Sequence, residues 1–66
     1  MMYYSISRYP REGYASVTIW EFDNSISYPK VPMAYVPNIE ERITDSISRG
    51  LSLDDTRKEV ERPIWG

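Results

Sequence analysis

Cysteine and histidine are both absent from this 66-residue chain. Without cysteine there is no disulfide to staple a small domain, no thiolate nucleophile and no thiolate ligand for zinc. Without histidine the commonest general base is also missing. Only three glycines occur, and they form none of the glycine-rich loops that cradle phosphates. No apolar run approaches the roughly 18 residues of a membrane span, and the opening "MMYYSISRYPREG" lacks the basic-then-apolar order of a signal peptide. A cytosolic, soluble chain with no membrane partner is therefore expected, and a cysteine-free composition agrees with it.

An excess of charge is missing too. The formal net charge is −2. Residues 1–36 balance Arg8, Arg11 and Lys30 against Glu12, Glu21 and Asp23, whereas residues 37–66 hold seven acids and five bases. That distribution is not the basic footprint that phosphate neutralisation requires, so double-stranded DNA is a poor partner on charge. Sixty-six residues also bury only a modest fraction of their apolar surface, which makes oligomerisation or partner binding the natural route to further burial. A single domain, residues 1–66, is expected.

What the chain does have is a pair of strand signals. "MYYSISRY" and "GYASVTIWEF" are rich in tyrosine and β-branched residues and alternate in polarity. "PREG" between them supplies proline for a turn and glycine for a left-handed position. Residues 1–23 thus read as a β-hairpin that sets Tyr9 opposite Tyr14, Ser7 opposite Ser16, Ser5 opposite Thr18 and Tyr3 opposite Trp20. The other face then pairs Arg8 with Ala15, Ile6 with Val17, Tyr4 with Ile19 and Met2 with Glu21. A slip of one residue would mix aliphatic and hydroxyl side chains on each face, so the pattern itself selects this register.

Residues 24–37 carry Pro29, Pro32 and Pro37, which forbid a helix and interrupt any central strand. They read as an extended connector, with "SISY" or "MAYV" as a possible third edge strand. Pro29 and Pro32 also meet the P-x-x-P spacing of polyproline ligands, but an ordinary crossover is the plainer reading. Residues 38–62 read as a helical pair. Asn38 is expected to cap the first helix with Glu41 completing a capping box, and Ile39, Ile43 and Ile47 form its apolar stripe. Gly50 should stop that helix with Leu51 folding back. Ser52 should cap the second helix, with Asp54 and Asp55 in its first turn and Leu53 and Val60 facing inward. Pro63 ends it, and in the tail, residues 63–66, Ile64 and Trp65 are expensive to leave in water and should dock either on this domain or on a partner. The predicted fold is α+β: an N-terminal antiparallel hairpin, with a possible third edge strand, covered on one face by two short C-terminal helices.

The helix, Gly-Leu-Ser, helix arrangement after "AYVP" resembles the strand-helix-helix plan of ribbon-helix-helix repressors and the corner of helix-turn-helix regulators. The resemblance spans about residues 33–61 and is carried by Pro37, Gly50, Leu51 and Ser52. It implies a DNA-binding dimer, yet "VPMAYV" offers no polar reader and the second helix exposes Asp54, Asp55, Glu59 and Glu61 beside Arg57, Lys58 and Arg62. "EGYASV" with the later glycine-led acidic helix likewise resembles HicB-like antitoxin domains, small sheets backed by a helix.

No catalytic residue, cofactor-binding residue or metal ligand emerges. Asp54, Asp55, Glu40 and Glu41 all have a helix-capping role, and tyrosine and serine without a base make no active site. The remaining candidate is the outer face of the hairpin: Tyr3, Ser5, Ser7, Tyr9, Tyr14, Ser16, Thr18 and Trp20. Tyrosine and tryptophan give contact area at small entropic cost while serine adapts, which is the composition of a paratope. The same residues also suit an ordinary solvated strand face. Single-stranded nucleic acid could stack on such rings, but only Arg8 and Arg11 flank the face. The expected function is that of a small non-enzymatic inhibitor or regulator that occludes a surface of a partner protein. Such cofactor-free chains fit phage or other mobile elements acting on host machinery. A DNA-binding regulator and a structural subunit of a homo-oligomer, beginning with a homodimer, are the alternatives. No cofactor and no small-molecule substrate is implied.

Overall fold

Alternation over the first third of the chain builds the predicted hairpin. In the computed structural model, which describes residues 1–63, β1 (Met2–Tyr9) pairs antiparallel with β2 (Tyr14–Glu21). All eight residue pairs fall in the expected register, from Met2 opposite Glu21 to Tyr9 opposite Tyr14. Gly13 closes the turn at φ +80°, and its amide donates to the Tyr9 carbonyl. Ala15, Val17 and Ile19 are fully buried on the inner face, as the alternation requires.

Of the two possible third edge strands in residues 24–37, "SISY" is the one that forms, and it is longer than a connector reading allows. A third strand, β3 (Asn24–Pro32), runs nine residues beside β2, so the sheet order is β1-β2-β3 with β2 in the centre. Its prolines are tolerated because β3 is an edge strand. Val17 pairs with Tyr28 but Ala15 with Val31, so Pro29 and Lys30 together oppose Ser16 in a bulge. The missing amide of Pro29 thus falls where the ladder is already broken. Pro32 is the last residue of the strand. "MAY" is not strand but a single 3-10 turn, Met33–Tyr35, that runs directly into the first helix.

That helix, α1 (Val36–Ser48), begins two residues before Asn38, and its N-cap, Tyr35, makes no side-chain capping bond. The capping box expected at Asn38 and Glu41 therefore does not start the helix. Pro37 sits in the first turn, where amides have no intrahelical acceptor and a proline loses nothing. The far end follows expectation. Gly50 lies at φ +71°, with its amide bonded to the Ile47 carbonyl and the Leu51 amide to that of Ser46, which is the Schellman arrangement. The second helix, α2 (Leu53–Val60), is capped by the Ser52 hydroxyl, which accepts from the Asp55 amide at 3.2 Å.

Both helices lie on the aliphatic side of the sheet. Val36, Ile39, Ile43, Leu53 and Val60 pack on Met2, Ala15, Val17, Ile19 and Val31. Two hydroxyl residues unread in the sequence, Ser46 and Thr56, are fully buried with them. Each donates to the carbonyl four residues back in its own helix, Ser46 to Arg42 and Thr56 to Ser52, both at 2.8 Å. The hydroxyl is satisfied locally, and a small residue is left at the packing surface.

Polar tethers join each edge strand to one helix. The Tyr4 hydroxyl donates to Glu40 on α1, and the Tyr28 hydroxyl donates to Glu61 at the end of α2, both at 2.8 Å. Glu21 of β2 accepts the Leu53 amide at the N-terminus of α2, where a carboxylate is favoured. Arg42 closes the other end of α2, donating to the carbonyls of Glu59, Arg62 and Pro63.

Ile43 is fully buried, so Ile43→Ala is expected to cost about 2 to 5 kcal/mol, measured by chemical denaturation; an unchanged midpoint would contradict this core. The tethers predict a pH dependence. Burial first, then the bond to Glu61, pushes the Tyr28 hydroxyl well above its ordinary value of 10. For Tyr4 the bond to Glu40 acts first and burial second, in the same direction. A raised folded-state value stabilises fully below the unfolded one and is lost as pH climbs through the folded one. Stability should therefore fall above about pH 10, with a shallower fall in Tyr4→Phe/Tyr28→Phe; an identical slope would exclude these hydroxyls as its source.

Candidate binding face

The hairpin places all eight predicted contact residues on the side of the sheet opposite the helices. On β1, Tyr3, Ser5, Ser7 and Tyr9 are exposed, Tyr3 at 56% and Tyr9 at 43%. On β2, Tyr14, Ser16, Thr18 and Trp20 are half-buried by neighbours on both flanking strands. The rings meet in two cross-strand pairs. Tyr3 and Trp20 stack with centroids 5.4 Å apart and planes 24° from parallel, and Tyr9 and Tyr14 lie 5.3 Å apart at 38°. Two aromatic clusters therefore occupy opposite ends of the hairpin, with Ser5, Ser7, Ser16 and Thr18 between them.

β3 widens this face in a way the sequence reading missed. Ser25 lies opposite Trp20 and Ser27 opposite Thr18, with the Ser27 and Thr18 hydroxyls 3.3 Å apart. The Lys30 ammonium sits 5.7 Å from the Tyr14 ring centroid, a cation–π contact. "SISY" reads as a possible edge strand, but its Ser25, Ser27 alternation ahead of Pro29 is not carried into the candidate face read from the sequence. Arg8 does not flank the face. It pairs with Ala15 on the helix side and reaches Glu40 at 3.7 Å. Lys30, at 5.7 Å from the Tyr14 centroid, is a positive group set directly against a ring.

A second missed residue is Phe22. It follows the strand end where Glu21 pairs with both Met2 and Asn24, so Phe22 and Asp23 form a two-residue turn next to the Tyr3–Trp20 stack. Phe22 is 80% exposed and has φ +55°. For a non-glycine residue the left-handed region costs about 1 to 2 kcal/mol. An aromatic side chain held in water on a strained backbone has no role in the core.

Charge on the helices is largely consumed internally. Arg57 pairs with Asp54 and Glu61, Lys58 with Asp54, Arg62 with Glu59, and Arg49 with Asp45 and Glu59. The Arg57 guanidinium, followed by Lys58, holds the Asp54 carboxyl below the usual range. Among the described residues no three acidic side chains cluster to hold a metal ion, and no helix is long and apolar enough to cross a membrane.

An open groove of about 440 Å³ runs along the helix side of β3, between Tyr28, Val31, Tyr35, Ile39, Val60 and Pro63. Its walls are mainly apolar, so it offers contact area with little to orient a ligand. The expectation that Ile64 and Trp65 dock on a surface concerns residues outside those described. Comparison of the chain with protein-family models, with curated proteins and with solved structures finds no match to any of them.

Proposed function

We propose that this chain is a cytosolic, non-enzymatic binding protein that inhibits or regulates a partner protein by covering a functional surface of it, in the manner of small phage- or mobile-element-encoded effectors. The observation that supports this reading most is the outer sheet face. Its rings already meet in two cross-strand pairs, one stacked and one tilted, on the side of the sheet away from the helices. Ordering rotamer-rich side chains is a large part of the cost of association. Rings fixed by a cross-strand neighbour have met that cost before the partner arrives, while the serine and threonine hydroxyls between them can adjust to it.

In this reading Tyr3, Tyr9, Tyr14 and Trp20 are the anchors, Ser5, Ser7, Ser16 and Thr18 supply adaptable hydrogen bonds, and Phe22 extends the anchor cluster. The DNA-regulator alternative draws less support, because the basic side chains of α2 are engaged by neighbouring carboxylates and few are left to neutralise phosphate.

Two measurements test the reading. Tyr3→Ala/Trp20→Ala should keep the circular dichroism of the parent and weaken capture of the partner by roughly 30-fold or more, the consequence of removing a hot spot. If the two proteins retain the same set of captured partners at the same affinity, this face is not the binding surface. Phe22→Gly separates stability from function. Relief of the positive φ should raise the melting temperature, while loss of the ring weakens capture; a variant that is more stable and binds equally well would remove Phe22 from the contact surface.

A further inference from the structure

The two edges of the sheet are built differently. β3 carries Pro29, Pro32 and a bulge, the devices that stop an edge from pairing with another chain. β1 has none of them. It runs eight residues without proline or glycine and pairs in unbroken register with β2. In an antiparallel ladder alternate residues turn their amide and carbonyl away from the paired neighbour. On β1 those groups point to the outer edge of the sheet, where no strand of the described fold pairs with them. Among the described residues the Tyr9 carbonyl, which closes the turn, is the only β1 backbone group bonded outside helices and strands, and no side chain bonds to the β1 backbone.

The sequence of this open edge is close to a palindrome. "YYSISRY", residues 3–9, reads Tyr, Tyr, Ser, Ile, Ser, Arg, Tyr forward and Tyr, Arg, Ser, Ile, Ser, Tyr, Tyr backward. We propose that two copies of the chain pair β1 against β1, antiparallel about a two-fold axis at Ile6, into one six-stranded sheet. In that register Tyr3 lies opposite Tyr9 of the second copy, Ser5 opposite Ser7, Tyr4 opposite Arg8, and Ile6 opposite itself. Every residue keeps its face, which a shift of one residue would reverse. A shift of two would set Tyr3 against Ser7 and separate the rings.

The consequences on each face are favourable. On the outer face the existing pairs join across the seam, so that Trp20 and Tyr3 of one copy continue into Tyr9 and Tyr14 of the other. Two rows of four rings then flank rows of hydroxyls. On the helix side, Arg8 of one copy comes beside Tyr4 of the other, whose hydroxyl is bonded to Glu40. Each copy brings one Arg8 and one Glu40 to the axis, so the charges there balance. The contact is isologous, as a closed two-fold dimer requires. It goes beyond the binding reading above, since the dimer forms whether or not a partner protein is captured.

Mass measured by sedimentation or light scattering on the purified chain, from about 1 µM to about 1 mM, tests the pairing. A dimer is expected within that range. Ser5→Lys/Ser7→Lys places like charges opposite each other across the seam, and its mass should be that of a single chain where the parent is dimeric. Within one chain these positions face Thr18 and Ser16, which are uncharged, so circular dichroism should show the fold retained. Ser5→Glu/Ser7→Lys sets opposite charges across the same seam and should restore the dimer. Amide exchange on the parent protein needs no variant: every second amide of β1 should gain protection as concentration rises. A single-chain mass throughout the range, a dimer indifferent to the lysine pair, a charge swap that fails to restore it, or β1 protection independent of concentration would each overturn the proposal.

Discussion

The register of β1 against β2 is the constraint on which the rest of the molecule depends. It turns Ala15, Val17 and Ile19 into the core, where none of them touches water, and it turns Tyr3, Trp20, Tyr9 and Tyr14 out into two cross-strand ring pairs. A strand has only two faces, so a displacement of one residue would exchange these sets wholesale. The helices would then meet hydroxyls, and the aliphatic side chains would meet solvent. β3 inherits the same division through its pairing with β2: Ile26 and Tyr28 lie inward opposite Ile19 and Val17, and Ser25 and Ser27 lie outward. One choice of register thus fixes both the core and the candidate binding face.

With so small an apolar core, the helices are also positioned by polar contacts at the rim. Tyr4 and Tyr28 reach Glu40 and Glu61 from the two edge strands, Glu21 meets the start of α2, and Arg42 meets its end. Helix ends leave amides and carbonyls without intrahelical partners, and an eight-residue helix has little else, so caps drawn from other elements weigh heavily on it. Glu21, Glu40, Glu61 and Arg42 are thereby held in bonds that position the two helices on the sheet.

Much of this was legible in the sequence, and the parts that were not have identifiable reasons. The hairpin could be read because period-two alternation, a proline and a glycine all agreed. The α1 to α2 corner could be read because Gly50 and Ser52 mark a stop and a start that few other residues serve. β3 was obscured by Pro29 and Pro32, whose veto applies to central strands and lapses at an edge with a bulge. The start of α1 was obscured because Asn38 has the chemistry of a cap, while Pro37 and the turn before it begin the helix earlier without one. Ser46 and Thr56 were invisible as core because a hydroxyl bonded to its own helix behaves as a small apolar residue, and no hydropathy pattern records that. Of the candidate face, the eight hairpin residues followed from the register, whereas Phe22 could not, since its strain appears only once the turn is known to be two residues long.

Both proposed contacts would cover surface that the described fold leaves outside. Sixty-six residues bury only a modest fraction of their apolar surface, and the outer face leaves rings and hydroxyls in water. Stacked rings lose little entropy on contact, hydroxyls accept several geometries, and an edge without proline supplies backbone hydrogen bonds that no side-chain substitution can easily remove. Nature blunts such edges when they serve no purpose, and this chain blunts β3 while leaving β1 clean. Pairing at β1 would lengthen the aromatic rows without altering the helical side, so a partner would meet a doubled face carried on a stiffer sheet. Because each ring is paired with its own cross-strand neighbour, the shape of this face is set by the hairpin's register, independent of either proposed contact.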